Sequence, residues 1–276
     1  MEKDHTFQDF FGEENPFEKL FGKGFDAKNF RTPNLHDKDP RGTALLMTFR
    51  EEIIRRDKNY LKQAIVEYKQ EIYERTNNSS LLEAYAKAAL FTENSPLCYD
   101  SLRRIKNPDT RQNQAIGVVA YSLGNYGDAI KSFKTVEKDL SSQARILYSL
   151  SLLEIGLEGL SVHKRVLNPL LEMSAAANSI LGCLAFNDQD SITAEKYLAS
   201  AAKLNPKSEK IRLDLMRVMA ANEKMNEVYG QMNSFYIDTN SKISSDEVTR
   251  QLNERELKVP RILIKNLFTV VNSLLE

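Results

Sequence analysis

Residues 110–141 read TRQNQAIGVVAYSLGNYGDAIKSFKTVEKDLS, and residues 175–206 read AAANSILGCLAFNDQDSITAEKYLASAAKLNP. The two stretches share a pattern at an offset of 65 residues, pairing Gly117 with Gly182, Ala129 with Ala194, Phe133 with Leu198 and Val136 with Ala201. In each, a small residue is followed twelve positions on by alanine, four later by a bulky apolar residue and three later by another. Ser141 and Pro206 then close the segment, five residues on. Apolar residues at intervals of three and four mark helices. Gly124-Asn125-Tyr126-Gly127-Asp128-Ala129 reads as a turn and a second helix start. A pair of short helices cannot bury its apolar face alone, so copies must stack.

The same period runs outward in both directions. Segments 143–173 and 209–239 continue it; in the latter, Met216, Val228, Met232 and Phe235 take the four places. Pro169 falls inside the second helix of segment 143–173 and predicts a kink or a shortened helix there. Upstream, Gly42 is the single glycine between Pro40 and Pro96, which favours helix throughout. Leu45, Phe49, Glu52 and Ile53 share one face. Leu61, Ala64, Ile65, Tyr68 and Ile72 share another, with Asp57-Lys58-Asn59 as the turn between them. Glu51/Arg55 and Glu52/Arg56 read as solvent-side pairs. Leu81, Ala84, Tyr85, Ala88 and Leu90 lead to a break at Glu93-Asn94-Ser95-Pro96, followed by helix from Leu97 to Ile105. Six helical pairs fill residues 43–239, and nothing there alternates with period two for the length of a strand. The chain is all-α.

The order small residue, alanine, bulky residue, apolar residue resembles the tetratricopeptide repeat, in which small residues let the two helices of a hairpin cross closely. The resemblance covers about 200 residues and is most specific over segments 110–141 and 175–206. It implies a right-handed α-solenoid of about six hairpins across residues 42–239, with the first helix of each hairpin lining the concave surface. On that register Arg111, Gln114, Val118 and Tyr121 face inward from one repeat, Cys183 and Phe186 from another, and Lys210 and Arg217 from the last. Some members of the family hold a peptide's terminal carboxylate with Asn and Lys; here Val118 and Cys183 stand where such a clamp wants Asn. A groove carrying Tyr121 and Phe186 suits an apolar or aromatic peptide with acidic flanks.

The two ends of the chain are different material. Residues 240–276 read as capping helices: Ser244 and Glu247 form a capping box, and Pro260 suits the first position of a closing helix that runs to the end of the sequence. That helix carries Ile262, Leu263, Leu267, Phe268, Val271, Leu274 and Leu275. It is expected to cover the last hairpin, with self-association through residues 260–275 as the alternative. Residues 1–41 read as a flexible arm. Seven of the 13 phenylalanines fall in the first 30 residues, and the first 40 hold nine acidic against six basic residues. Phe7, Phe10, Phe11, Phe17, Phe21 and Phe25 are interleaved with charge and broken by glycine and proline, a pattern of aromatic anchors that order on binding either a partner or the solenoid itself.

Composition narrows the function. Thirty-eight basic residues balance 38 acidic ones, so no positive field exists to hold a phosphate backbone, and nucleic acid is not expected as a partner. Apolar residues at 42% with charged residues at 28% exclude wholesale disorder. No apolar run reaches the roughly 20 residues that span a bilayer, and MEKDHTFQDF is not a secretory signal, so a soluble cytoplasmic protein is expected. Cys98 and Cys183 form no CxxC; Cys183 reads as a small buried filler. Of His5, His36 and His163, the last sits on a helix without ligand spacing and reads as a structural, surface or partly buried residue. Gly22-Lys23-Gly24 lacks the third glycine of a dinucleotide loop. Neither a catalytic constellation, a metal site nor a cofactor is expected. Arg103, Arg104, Lys106 and Arg111 form a local basic cluster, better suited to an acidic protein segment than to nucleic acid. The expected role is a scaffold or adaptor subunit that binds other proteins or peptides through its groove and its arm; a chaperone or co-chaperone holding client or secretion-substrate peptides is the alternative.

Overall fold

Side chains placed immediately before the helices decide where each one begins. The computed structural model describes residues 39–276 except 158, 241, 242, 254, 261–263 and 265; among the described residues there are fifteen α-helices and no strand. The arm positions Phe7 to Phe25, with His5 and His36, lie outside the described residues.

Twelve of the helices form six hairpins, one of them with an appended thirteenth. The first is α1 (Pro40–Arg55) with α2 (Lys58–Glu67), continued past a break at Tyr68 by α3 (Lys69–Glu74). Next come α4 (Ser79–Phe91) with α5 (Ser95–Arg103), and α6 (Thr110–Ser122) with α7 (Tyr126–Thr135). The fourth is α8 (Ser142–Glu154) with α9 (Leu160–Leu167); the fifth and sixth are α10 (Ala175–Asn187) with α11 (Ser191–Leu204) and α12 (Glu209–Ala221) with α13 (Met225–Thr239). Each hairpin packs on the next, as α1 on α4, α5 on α6, α7 on α8, α9 on α10 and α11 on α12. The first helix of every hairpin starts on Asp, Asn or Ser. Asp39, Asn78, Asp109, Ser141, Ser174 and Ser208 each accept from a backbone N–H in the first turn. Asp109 and Gln112 complete a reciprocal capping box.

Every hairpin turns through one left-handed residue. Glu93, Gly124, Gly156, Gln189 and Glu223 have positive φ and recur at intervals of 31 to 34 residues. After each, the next N–H reaches back five residues: Asn94 to Ala89, Asn125 to Ala120, Leu157 to Leu152, Asp190 to Ala185 and Lys224 to Met219, all at 2.8–2.9 Å. Arg56 plays this part in the first hairpin. Seven residues before the turn, the crossing point demands little volume. A Cβ on Gly117 would lie 2.5 Å from the Phe133 ring, and one on Gly182 would lie 2.6 Å from Leu198 Cγ. The paired positions read from the sequence are therefore one packing contact made twice.

The fourth hairpin departs from its neighbours. Ser149 holds the place of Gly117 and Gly182, seven residues before Gly156, but α9 starts two residues late. His163 consequently stands where Ala129 stands in the third hairpin. It is wholly buried, with Nδ1 2.8 Å from Ser149 Oγ and Nε2 2.6 Å from the Leu157 carbonyl oxygen. A hydrogen-bonded pair thus replaces the small apolar pair of the third and fifth hairpins. Its burial is more complete than expected, because the ring is the filler of the crossing. Pro169 ends α9 early, and the chain continues as a 3₁₀ turn over Asn168–Leu170. Glu52 is buried too, where a solvent-side pair with Arg56 is expected; Arg55 bridges to both Glu51 and Glu52 instead.

Beyond the sixth hairpin the chain turns back. The short helix α14 (Ser245–Leu252) packs on α12, and α15 (Leu267–Leu275) packs on α4 and α6, in the second and third hairpins. Two expectations are corrected here. Pro260 does not open the closing helix; Asn266 caps it, accepting from the Thr269 N–H at 3.1 Å. Nor does that helix cover the last hairpin. Val271 and Leu275 are buried in the core of the first four hairpins, and Phe268 meets Phe91 edge to face, with ring centroids 5.3 Å apart. The outer side of α13 stays uncovered, with Tyr229 60% and Ile237 79% exposed. Among the described residues no helix is long and apolar enough to cross a membrane.

Candidate functional site

The returning segment follows the face made by the first helices of the hairpins. Between α14 and α15, Leu257 and Val259 pack into the cores of the solenoid, and the intervening backbone is held by side chains. Asn187, at the end of α10, grips Leu257 from both sides: its Nδ2 donates to the Leu257 carbonyl at 3.0 Å, and its Oδ1 accepts from the Leu257 N–H at 2.9 Å. One side-chain amide thereby satisfies both backbone polar groups of one residue. Lys210, at the start of α12, donates to the Lys258 carbonyl at 3.2 Å. Cys183 Sγ lies 3.9 Å from the same oxygen.

Beneath these contacts sits a charge pair with a buried acid and a solvent-exposed base. Asp214 is fully buried and receives Lys210 Nζ at 2.6 and 2.5 Å, one turn away on α12, and Gln251 Nε2 of α14 at 3.1 Å. Burial pushes the Asp214 carboxyl up, against the opposing pull of the Lys210 ammonium. Burial, and then the Asp214 carboxylate 3.8 Å away, push the Cys183 thiol up to about 12. Cys98 is likewise buried, and its thiol is pushed up by burial alone. Burial thus disfavours the thiolate, the reactive form, at both cysteines.

Of the residues the tetratricopeptide register places inward, Cys183, Phe186, Lys210 and Arg217 come together on α10 and α12, with the Arg217 guanidinium 5.0 Å from the Phe186 ring centroid. Arg111 is exposed and pairs with Asp109 at 3.0 Å. Tyr121 is half-buried and meets Tyr126 edge to face. Gln114 and Val118 are buried. Gln114 is spent on the next hairpin, donating to the Asp139 carbonyl at 3.2 Å and accepting from the Ser141 N–H at 2.9 Å. Two more members of the basic cluster have acidic partners within the fold: Arg103 pairs with Asp128, and Arg104 with Asp100 and, 3.8 Å away, the Tyr73 ring; Lys106 donates to Asn77 Oδ1. Asn187 and Asp214 are absent from the inward set read from the sequence. Asn187 looks like the first residue of a polar turn. The available signal for Asp214 is an acid flanked by Leu213 and Leu215 in an otherwise apolar stretch.

No family model and no curated protein matches the chain. Solved structures do. PilF of Pseudomonas aeruginosa aligns over 76% of this chain and 95% of its own, at 13% identity and a TM-score of 0.51. The fold is a tetratricopeptide-like α-solenoid. The apo form of the quorum sensor NprR of B. thuringiensis aligns more loosely, over 79% of this chain and 71% of its own, at 13% identity and a TM-score of 0.45. NprR in complex with its cognate peptide NprX covers 78% and 71%, at 14% identity and 0.35. In this solenoid the chain's own C-terminal helices lie on first helices of the hairpins, α14 on α12 and α15 on α4 and α6.

Proposed function

We propose that the protein is a non-catalytic interaction scaffold, an adaptor subunit that holds segments of other proteins on the inner face of its solenoid, with the phenylalanine-rich arm as a second attachment. The two-sided grip of Asn187 on the backbone of Leu257 carries this reading. A side-chain amide that pairs with both the N–H and the C=O of one residue is chemistry for holding a peptide, and it sits on a first helix, where a solenoid presents its binding face. Two modest attachments on one chain raise avidity without any new contact.

Affinity capture from native extract with mass spectrometry tests it. Three forms are compared: the intact chain, residues 39–276 (which keep Asp39, the cap of α1), and the full chain carrying Asn187→Ala. A stoichiometric partner lost with residues 1–38 assigns docking to the arm; one weakened by Asn187→Ala assigns it to the inner face. A client released on demand would favour the chaperone alternative. No partner from any form overturns the proposal.

A further inference from the structure

We propose that residues 257–260 together with helix α15 are an exchangeable internal ligand, and that the inner face takes up from a partner a segment of the same chemistry, an apolar stretch without regular structure followed by a short apolar-faced helix, in trade for its own tail. This inference rests on the scaffold reading and specifies its ligand class.

The polar part of the grip on the tail is indifferent to sequence, while the buried Leu257 side chain asks for an apolar residue. Asn187 and Lys210 bind only backbone atoms of Leu257 and Lys258, so any chain that reaches them satisfies the same donors and acceptors. The helix α15 has nine residues, too few to persist alone in water, so it is helical because it is docked. Residues 257–260, which precede it, have no regular structure. The tail can therefore leave as one unit, while the six hairpins keep the neighbour contacts that hold a solenoid together.

What the tail covers decides what replaces it. Phe91 on α4 meets Phe268, and all nine residues from 112 to 120 of α6 are buried in the described fold. Departure without replacement would open this apolar surface to water, so release is coupled to arrival of an equivalent segment. At the far end Glu276 and Glu83 both lie within electrostatic reach of Lys87, as do Arg50 and Arg111.

The test uses the full chain carrying Phe91→Cys with Phe268→Cys, two side chains whose rings now sit 5.3 Å apart. Cys98 is wholly buried, and Cys183, which lies under Lys258 and would be uncovered when the tail leaves, is replaced by alanine in every form compared. The probe is a fluorescent synthetic peptide of residues 255–276, read by fluorescence polarisation. The reduced protein is expected to bind it at least tenfold more tightly than the disulfide-locked protein. Full-length Val271→Asp, which loosens the tail and leaves the inner face intact, is expected to bind it at least tenfold more tightly than the unaltered chain. Asn187→Ala added to Val271→Asp should lose most of that gain. Equal binding in locked and reduced forms, or no binding to Val271→Asp, overturns the proposal. So does a reduced protein that elutes as a dimer through exchanged tails, since the occupant is then a second copy. A partner captured by the intact chain together with lock-independent peptide binding removes the exchange and leaves the scaffold standing.

Discussion

Gly182 and Gly124 are the same residue for opposite reasons. An added Cβ at Gly182 meets Leu198 Cγ at 2.6 Å, so Gly182→Ala should force the two helices of the fifth hairpin apart and cost about 1–3 kcal/mol of stability. At Gly124 a Cβ would meet nothing within 4 Å, but φ is +76°, so Gly124→Ala should cost only the left-handed backbone penalty, about 1 kcal/mol. Thermal or urea unfolding separates them: adding Leu198→Ala to Gly182→Ala should recover part of the loss by making room, and no side-chain trimming should rescue Gly124→Ala. Asp109 shows what one cap contributes. Burial pulls its carboxyl upward, but the hydrogen bond from the Gln112 N–H and the Arg111 guanidinium outweigh burial and hold it below the ordinary 3.8. A depressed carboxylate stabilises the fold above its unfolded pKa and loses that contribution as pH falls through its folded one. Asp109→Ala should therefore cost about 1 kcal/mol at pH 7. The gap to the unaltered protein should shrink as pH falls below 3.8, and unfolding curves at neutral and acid pH check both statements.

At the scale of elements, the fourth hairpin tests how a repeat absorbs a change of register. Ser149 and His163 do with a hydrogen bond what glycine and alanine do elsewhere by closeness. Ser149→Ala should leave the buried imidazole nitrogen without its partner, at about 1–3 kcal/mol. In a double-mutant cycle with His163→Ala, the paired loss should fall short of the sum of the two single losses; additive losses would mean that the bond contributes nothing of its own. Helix pairs were legible in the sequence because their spacing is local. The Gly117 and Gly182 register, the Pro169 break and the Ser244 cap are all decided within about a dozen residues, although the Glu247 carboxylate binds Arg250 and does not close the expected capping box. The fourth hairpin resisted the same reading because two extra residues between Gly156 and Leu160 shift its second helix against its first. The pattern remains, with Leu167 buried in the bulky position, but no fixed offset finds it.

For the whole molecule, the destination of the C-terminal segment was not legible, and the reason is physical. An apolar nine-residue helix fits any apolar surface of suitable width, and the solenoid has two: its open end on α13 and its inner face. Leu267, Phe268, Val271, Leu274 and Leu275 are equally suited to both. The inner face wins with Val271 and Leu275 buried there and with Asn187 and Lys210 holding the approach, while Tyr229 and Ile237 of the open end stay exposed. Asn187 could not be found from sequence because its role depends on Leu257, 70 residues away. Hydrogen–deuterium exchange on the intact chain, read by mass spectrometry, tests this occupancy most directly. With the tail seated, the Leu257 amide and those of the second half of α15 exchange slowly, and Asn187→Ala speeds the Leu257 amide selectively. A tail whose amides all exchange at the rate of an unstructured peptide, with or without Asn187, would contradict it.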